Sequence, residues 1–156
     1  MATMSSLELK IPPPVVALIF AVLMWVISLI TPAFQIATPL RLVIFAGLAV
    51  LGGSLAISGF RAFGNAQTTV DPSTPERATA LVTTGIYQIT RNPMYLGMTI
   101  VLLGWAVFLA SLAALIGPVL YALFLTRFQI VPEERALTGI FGAAYEGYRS
   151  RVRRWL

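Results

Sequence analysis

The chain contains no cysteine and no histidine, and only 11% of its residues are charged. Without cysteine there is no disulfide, no thiolate metal site and no cysteine nucleophile. Without histidine the commonest general base and the commonest metal ligand are gone, and no metal site is expected. Chemistry must run on carboxylates, arginine, tyrosine and backbone groups, or on a cofactor that brings its own reactivity. The shortage of charge excludes a further class. A soluble domain carries about a quarter charged residues, whereas this chain of 156 residues is 58% hydrophobic with a mean hydropathy of +0.84. That composition belongs to a membrane protein. The length fits a single domain, 1–156. The net charge of +5 does not call for nucleic acid. In so apolar a chain it marks arginines at the cytoplasmic face, near anionic lipid.

What is present is a series of long uncharged runs. Ile11 to Ile30 carry no charge, and Pro12, Pro13 and Pro14 stand where a helix tolerates proline, at its start. About 20 such residues span a bilayer. A retained helix is favoured over a signal peptide, because Lys10 alone would form the basic region and no small-residue cleavage site follows. Leu42 to Phe60 form a second run, introduced by Thr38-Pro39, in which Ala49 and Gly53, or Gly52 and Ala56, would let two helices approach closely. Residues 61–92 are the long polar segment. Asp71 to Glu76 read as a turn-rich loop there, and Pro75-Glu76-Arg77 as the opening of a short helix.

Asn92 to Thr126 are 35 residues without a charge. At 1.5 Å per residue that is about 50 Å of helix, too long for one ~30 Å hydrocarbon core. A hairpin is expected, turning near Ala110–Ala113, with helices over about 93–109 and 113–131 and a kink at Gly117-Pro118. In the tail, Phe141, Tyr145, Tyr148 and Val152 recur at helical spacing, as in an amphipathic helix on the membrane surface; Gly139, Gly142 and Gly147 weaken it, so packing against the core is expected to hold it. The expected fold is therefore all-α: a polytopic membrane protein with about four transmembrane helices and a C-terminal amphipathic cytoplasmic helix. Arg61, Arg77, Arg91, Arg135, Arg149, Arg151, Arg153 and Arg154 against Arg41 on the other side place the 61–92 loop and both termini in the cytoplasm.

The chemistry-bearing residues gather where the hairpin meets water. Asn92-Pro93 reads as an N-cap with proline at the first helical position. The helix start beside Arg91 would suit a carboxylate or phosphate, although an arginine there also serves as a plain headgroup anchor. Glu133 and Glu134 end the fourth run at the same level. They could pair with Arg91 or Arg135 in a structural ion cluster, or bind a ligand's ammonium or hydroxyls. Tyr87, Tyr95, Tyr145 and Tyr148 fall in the same layer, and tyrosine faces with carboxylates suit a cation, a sulfonium included. S-adenosylmethionine carries all the complementary parts: carboxylate, ammonium, ribose hydroxyls and sulfonium.

Gly85-x-Tyr87, the run Arg91-Asn92-Pro93-Met94-Tyr95-Leu96-Gly97, then Glu133-Glu134, Phe141-Gly142, Tyr145 and Tyr148 resemble the isoprenylcysteine carboxyl methyltransferase and phospholipid methyltransferase family. The likeness covers roughly residues 75–152. It implies an integral membrane methyltransferase using S-adenosylmethionine, with catalytic roles for Arg91, Glu133 and Glu134. It also implies a cofactor pocket built from Tyr87, Arg91, Asn92, Pro93, Met94, Tyr95, Gly97, Glu133, Glu134, Tyr145 and Tyr148. Many relatives have histidine where this chain has Asn92, so no imidazole can accept a proton here. Membrane steroid reductases share a similar segment, but Met94 and Leu96-Gly97 depart from their pattern, which argues against NADPH reduction. The implied partners are the lipid bilayer and a lipidic or small hydrophobic methyl acceptor. A prenylcysteine carboxylate, a phospholipid amine and a small thiol all fit. The competing readings are a membrane NADPH-dependent reductase and a non-enzymatic structural protein.

Overall fold

The computed structural model describes residues 8–68 and 78–156, and every named element among them is helical. The loop expectations for Asp71 to Glu76 and the helix opening at Pro75-Glu76-Arg77 lie outside the described residues. Helix α1 runs Pro13–Leu29, with Pro12 as its N-cap and prolines in its first turn. Helix α2 runs Thr38–Asn65, so it continues past the uncharged run and takes Arg61 into its last turns. Helix α3 is Pro93–Leu109, and a 3₁₀ turn at Ala113–Leu115 leads into α4, Ile116–Leu125. A π-helical turn, Thr126–Ile130, joins α4 to α5, Val131–Phe141. Helix α6, Ala143–Arg151, follows.

Two helical stretches are long and apolar enough to cross a membrane, Thr38–Asn65 and Ala113–Phe141; α1 and α3 are shorter apolar helices of 17 residues. The outward faces of α1 and α2 are apolar: Leu18, Leu23, Leu29, Val43, Val50 and Phe60 are all exposed. In water this would be a large apolar patch; hydrocarbon is the solvent it suits.

Helices α2 and α3 pack through small residues. A side chain on Gly52 or Gly97 would run into the other helix's backbone, and Gly97 also faces Ala56. Of the two small pairs in the sequence, Gly52 and Ala56 therefore make the contact, while Gly53 faces open space. Helix α1 is tied in by Trp105 Nε1 donating to the Ala21 carbonyl at 3.0 Å and by the Tyr121 hydroxyl donating to the Pro13 carbonyl at 3.3 Å. Met24 packs directly against Gly117.

The hairpin turns where the uncharged run predicts. Ala110 ends α3 in the left-handed region (φ 53°), and its carbonyl accepts the Phe34 N–H at 2.8 Å. Arg41 donates to the Phe108 carbonyl at 3.1 Å, placing a cation at the negative end of α3. Pro118 lies in the first turn of α4, where its missing N–H breaks no ladder, and the helix irregularity falls further on. Pro132 cannot donate to the Phe128 carbonyl one turn back, which accounts for the π turn and leaves that carbonyl free. The Leu9 N–H takes it at 3.1 Å. Beside it the buried Glu8 carboxylate holds Arg127 at 3.0 Å and Arg135 at 2.7 Å. The end of the polar N-terminal tail is thus docked on the π turn, a contact that no local pattern announces.

Gly142 separates α5 from α6 with φ 51° and ψ −124°, a backbone that side chains rarely allow. Phe141, Tyr145, Tyr148 and Val152 do share a face. It folds back onto Val82, Tyr87 and Phe63, which supply the packing that its glycines call for. The tail becomes a cover over the start of α3.

Candidate functional site

A cavity opens between the start of α3, the first turns of α5, and α6. Tyr87, Arg91, Asn92, Met94, Tyr95, Glu133, Glu134, Tyr145 and Tyr148 line it, together with Phe63, Leu81, Val82, Ile130 and Leu137. Nine of the residues singled out in the sequence meet here. Pro93 and Gly97 lie outside its lining. Gly97 sits in the α2–α3 contact and Pro93 is buried at the start of α3.

Asn92 stands at the N-cap position of α3, but its side chain makes no cap bond. Its Nδ2 donates instead to the Arg154 carbonyl at 2.9 Å. The Arg91 N–H reaches the Arg153 carbonyl at 3.1 Å, and the Thr90 hydroxyl reaches the Arg154 carbonyl at 3.3 Å. The C-terminal segment after α6 thus satisfies the segment that leads into α3.

The two glutamates differ sharply. Neither lies at a helix end, because the helix continues through α5 to Phe141. Glu134 is ion-paired twice: Arg91 Nη2 lies 3.0 Å from Oε1, while Arg154 forks onto both oxygens at 3.0 and 2.7 Å. Arg135, the other partner considered for the pair, is engaged by Glu8 instead. Glu133 has no ion pair among the described residues. It accepts from the Tyr95 hydroxyl and from Gln129 Nε2, both at 2.6 Å and both on Oε1.

Arg91 is half used. Its side chain is 9% exposed, and its Nε and Nη1 are buried without a hydrogen-bond partner among the described residues. Buried donors left unpaired cost about 1–3 kcal/mol each, more on a charged group, so a native site is expected to supply an acceptor.

The tyrosines form the opposite wall. The Tyr148 hydroxyl donates to the Tyr87 carbonyl at 2.7 Å, and Tyr87 meets Phe63 edge-on with centroids 5.5 Å apart. Burial, with Glu134 nearby, pushes the Tyr145 phenol up to about 12; it stays neutral at pH 7.

Sequence reading overlooked Arg154, Gln129 and Phe63. Gln129 lies one helical turn before Glu133, a signal available from spacing alone. Nothing local marks Arg154, whose role depends on the tail folding back. Among the described residues no group of three or more His, Cys, Asp or Glu side chains could hold a metal ion.

The comparisons with known proteins bear on the family. The chain is 33% identical over 109 residues to the protein-S-isoprenylcysteine O-methyltransferase of Schizosaccharomyces pombe, a match covering 68% of this chain and 45% of that protein. It is also 40% identical over 63 residues to an uncharacterized protein of Haemophilus influenzae, covering 40% of this chain and all of that protein. No solved structure matches significantly. The phospholipid methyltransferase pattern matches residues 40–144, most of the chain and most of the cavity's lining. With apolar helices long enough to cross a bilayer and a polar site at their end, the chain belongs to the phospholipid methyltransferase family, a family of membrane methyltransferases.

Proposed function

We propose that this protein transfers a methyl group from S-adenosylmethionine to an apolar acceptor drawn from the membrane. One observation carries the reading: among the described residues, a single cavity pairs an arginine that has two unpartnered nitrogens with a carboxylate that has no cation. An ion cluster with a purely structural task would match its own charges. This one sets two arginines on Glu134 and leaves Glu133 to neutral donors. The surplus fits a zwitterion, with a carboxylate on Arg91 and an ammonium or sulfonium on Glu133. The apolar side of the cavity, Phe63, Leu81, Val82 and Leu137, suits an adenine ring.

When bound, S-adenosylmethionine supplies an electrophilic methyl on a cationic sulfur. The chain's task is then to orient, to exclude water and to balance charge. Arg91 and Glu133 hold the polar end. Tyr95 and Gln129 fix Glu133, and Tyr87, Tyr145 and Tyr148 shield the site from the aqueous side. Glu134 is taken up by arginines, so Glu133 is the better placed proton acceptor where the acceptor group is an amine.

In this reading α1, α2, α3 and the continuous helical stretch that begins at Ala113 and includes α4 and the π turn are four spans, with both termini and the 61–92 loop in the cytoplasm, as the arginine distribution supports. The acceptor reaches the site from the bilayer beside α3 and α4. Trp105 serves as packing, since it bonds to α1 and stacks on Phe108, so the route is assigned to the Tyr95 end. The deciding experiment is calorimetric titration of the detergent-solubilised protein with S-adenosylmethionine and, separately, NADPH. Saturable binding of the first alone supports the reading; binding of NADPH alone replaces it with the reductase.

A further inference from the structure

Arg154 lies beyond the stretch that matches the family pattern and does not line the cavity. It nevertheless controls the state of a residue that does. Glu134 has two oxygens, and Arg154 covers both, with Nε on Oε1 and Nη2 on Oε2. Arg91 is left a single bond, Nη2 to Oε1. Were Glu134 free, the fork geometry of the guanidinium would favour a two-bond pairing with Arg91. The second bond would come from Nε or Nη1, each of which flanks Nη2, so one of the two unpartnered nitrogens would then be consumed by its own protein.

We propose that Arg154 is a positioning residue: by forking onto Glu134 it keeps Arg91 from closing on that carboxylate and so holds the Arg91 guanidinium open for a ligand's anionic group. The inference rests on the reading of the cavity as an S-adenosylmethionine site. Three further contacts make the C-terminal segment a rigid holder for this side chain. The Arg153 carbonyl takes the Arg91 N–H, the Arg154 carbonyl takes Asn92 Nδ2, and Trp155 Nε1 donates to Thr126 at 3.2 Å on the π turn. The backbone thus grips the start of α3 and the Trp155 indole grips the α4–α5 junction, with the Arg154 side chain, 36% exposed, held on Glu134 of α5. Its bonds to Glu134 raise its pKa further, so it stays charged at any working pH.

The test is the affinity of purified full-length protein for S-adenosylmethionine, measured calorimetrically on wild type, R154A, R154K, E134Q and R154A/E134Q. R154A is expected to bind roughly ten- to hundredfold more weakly, the effect of losing a charge-assisted bond. R154K, which cannot fork, falls between. The double variant is decisive. With no carboxylate at position 134, Arg91 has nothing to close upon, so R154A/E134Q should bind more tightly than R154A. A tail that merely props the fold would give losses that add. Equal affinity of wild type and R154A, or a double variant weaker than R154A, overturns the inference and leaves the site reading standing. A wild type that binds no S-adenosylmethionine overturns both. Unfolding temperatures of all five proteins separate loss of binding from loss of fold, with R154K as the variant least disturbed.

Discussion

The Tyr95 hydroxyl and Glu133 Oε1 lie 2.6 Å apart, joining the third residue of α3 to the third residue of α5. This bond crosses the cavity's floor between helices that are distant in the chain. It anchors a carboxylate without neutralising it, since a phenol is a neutral donor. Glu133 therefore keeps its capacity for a positive group, whereas its neighbour Glu134 has spent its own on two arginines.

Glu133→Gln and Glu134→Gln should fail in different ways. The amide at position 133 still accepts from Tyr95 and Gln129, so the fold should hold while S-adenosylmethionine affinity drops roughly ten- to hundredfold. At position 134 the change leaves the buried Arg91 without its counter-ion, a loss of about 3–5 kcal/mol for a broken buried pair. Glu134→Gln should thus lower the unfolding temperature clearly more than Glu133→Gln. Thermal unfolding and calorimetry on both variants check this; equal unfolding temperatures would remove the division of labour between the two carboxylates.

Gly97 and Gly53 make a second contrast. A methyl at Gly97 meets the Gly52 carbonyl and the Ala56 backbone, while one at Gly53 meets nothing within 4 Å. Gly97→Ala should destabilise by about 1–3 kcal/mol, the usual cost of overpacking. Gly53→Ala should be neutral or stabilise by up to about 1 kcal/mol through helix propensity. If Gly97→Ala instead leaves stability unchanged and abolishes cofactor binding, the glycine belongs to the site and not to the helix contact.

The proposed orientation can be read by chemical labelling, because the chain has no native cysteine. Gln35 lies exposed in the α1–α2 connection and Ser150 lies exposed near the end of α6. In sealed cells an impermeant maleimide should modify Gln35→Cys and spare Ser150→Cys until the membrane is opened. The reverse pattern inverts the topology, and labelling of both from outside rules out an odd number of spans between them, and with it the four-span arrangement.

Acceptor access from lipid predicts a dependence on chain length. In a series with one reactive group and growing alkyl tails, each buried methylene should add up to ~0.8 kcal/mol to recognition, read as rising kcat/KM. Turnover that is flat across the series, or highest for the most water-soluble member, would instead place the route on the aqueous side.

Much of this protein is legible in one dimension. Runs without charge are a local property, and hydrocarbon demands nothing more specific, so α1, α3 and the turn at Ala110 follow from counting residues. The gathering of Arg91, Tyr95, Glu133 and Glu134 also follows, because a hairpin returns its two ends to one level. Three things were decided only by the fold. Helical spacing and the weakening glycines call for packing but cannot say against what, so the partners of the tail's aromatic face, Val82, Tyr87 and Phe63, come only from the turn at Gly142. Adjacent glutamates look alike in sequence, but successive residues on a helix point about 100° apart, and that rotation gives Glu134 to the arginines and Glu133 to Tyr95. The ion partners themselves, Glu8 for Arg127 and Arg135 and Arg154 for Glu134, are joined across the chain. Pairing between distant charges depends on where the backbone returns, which no local pattern encodes.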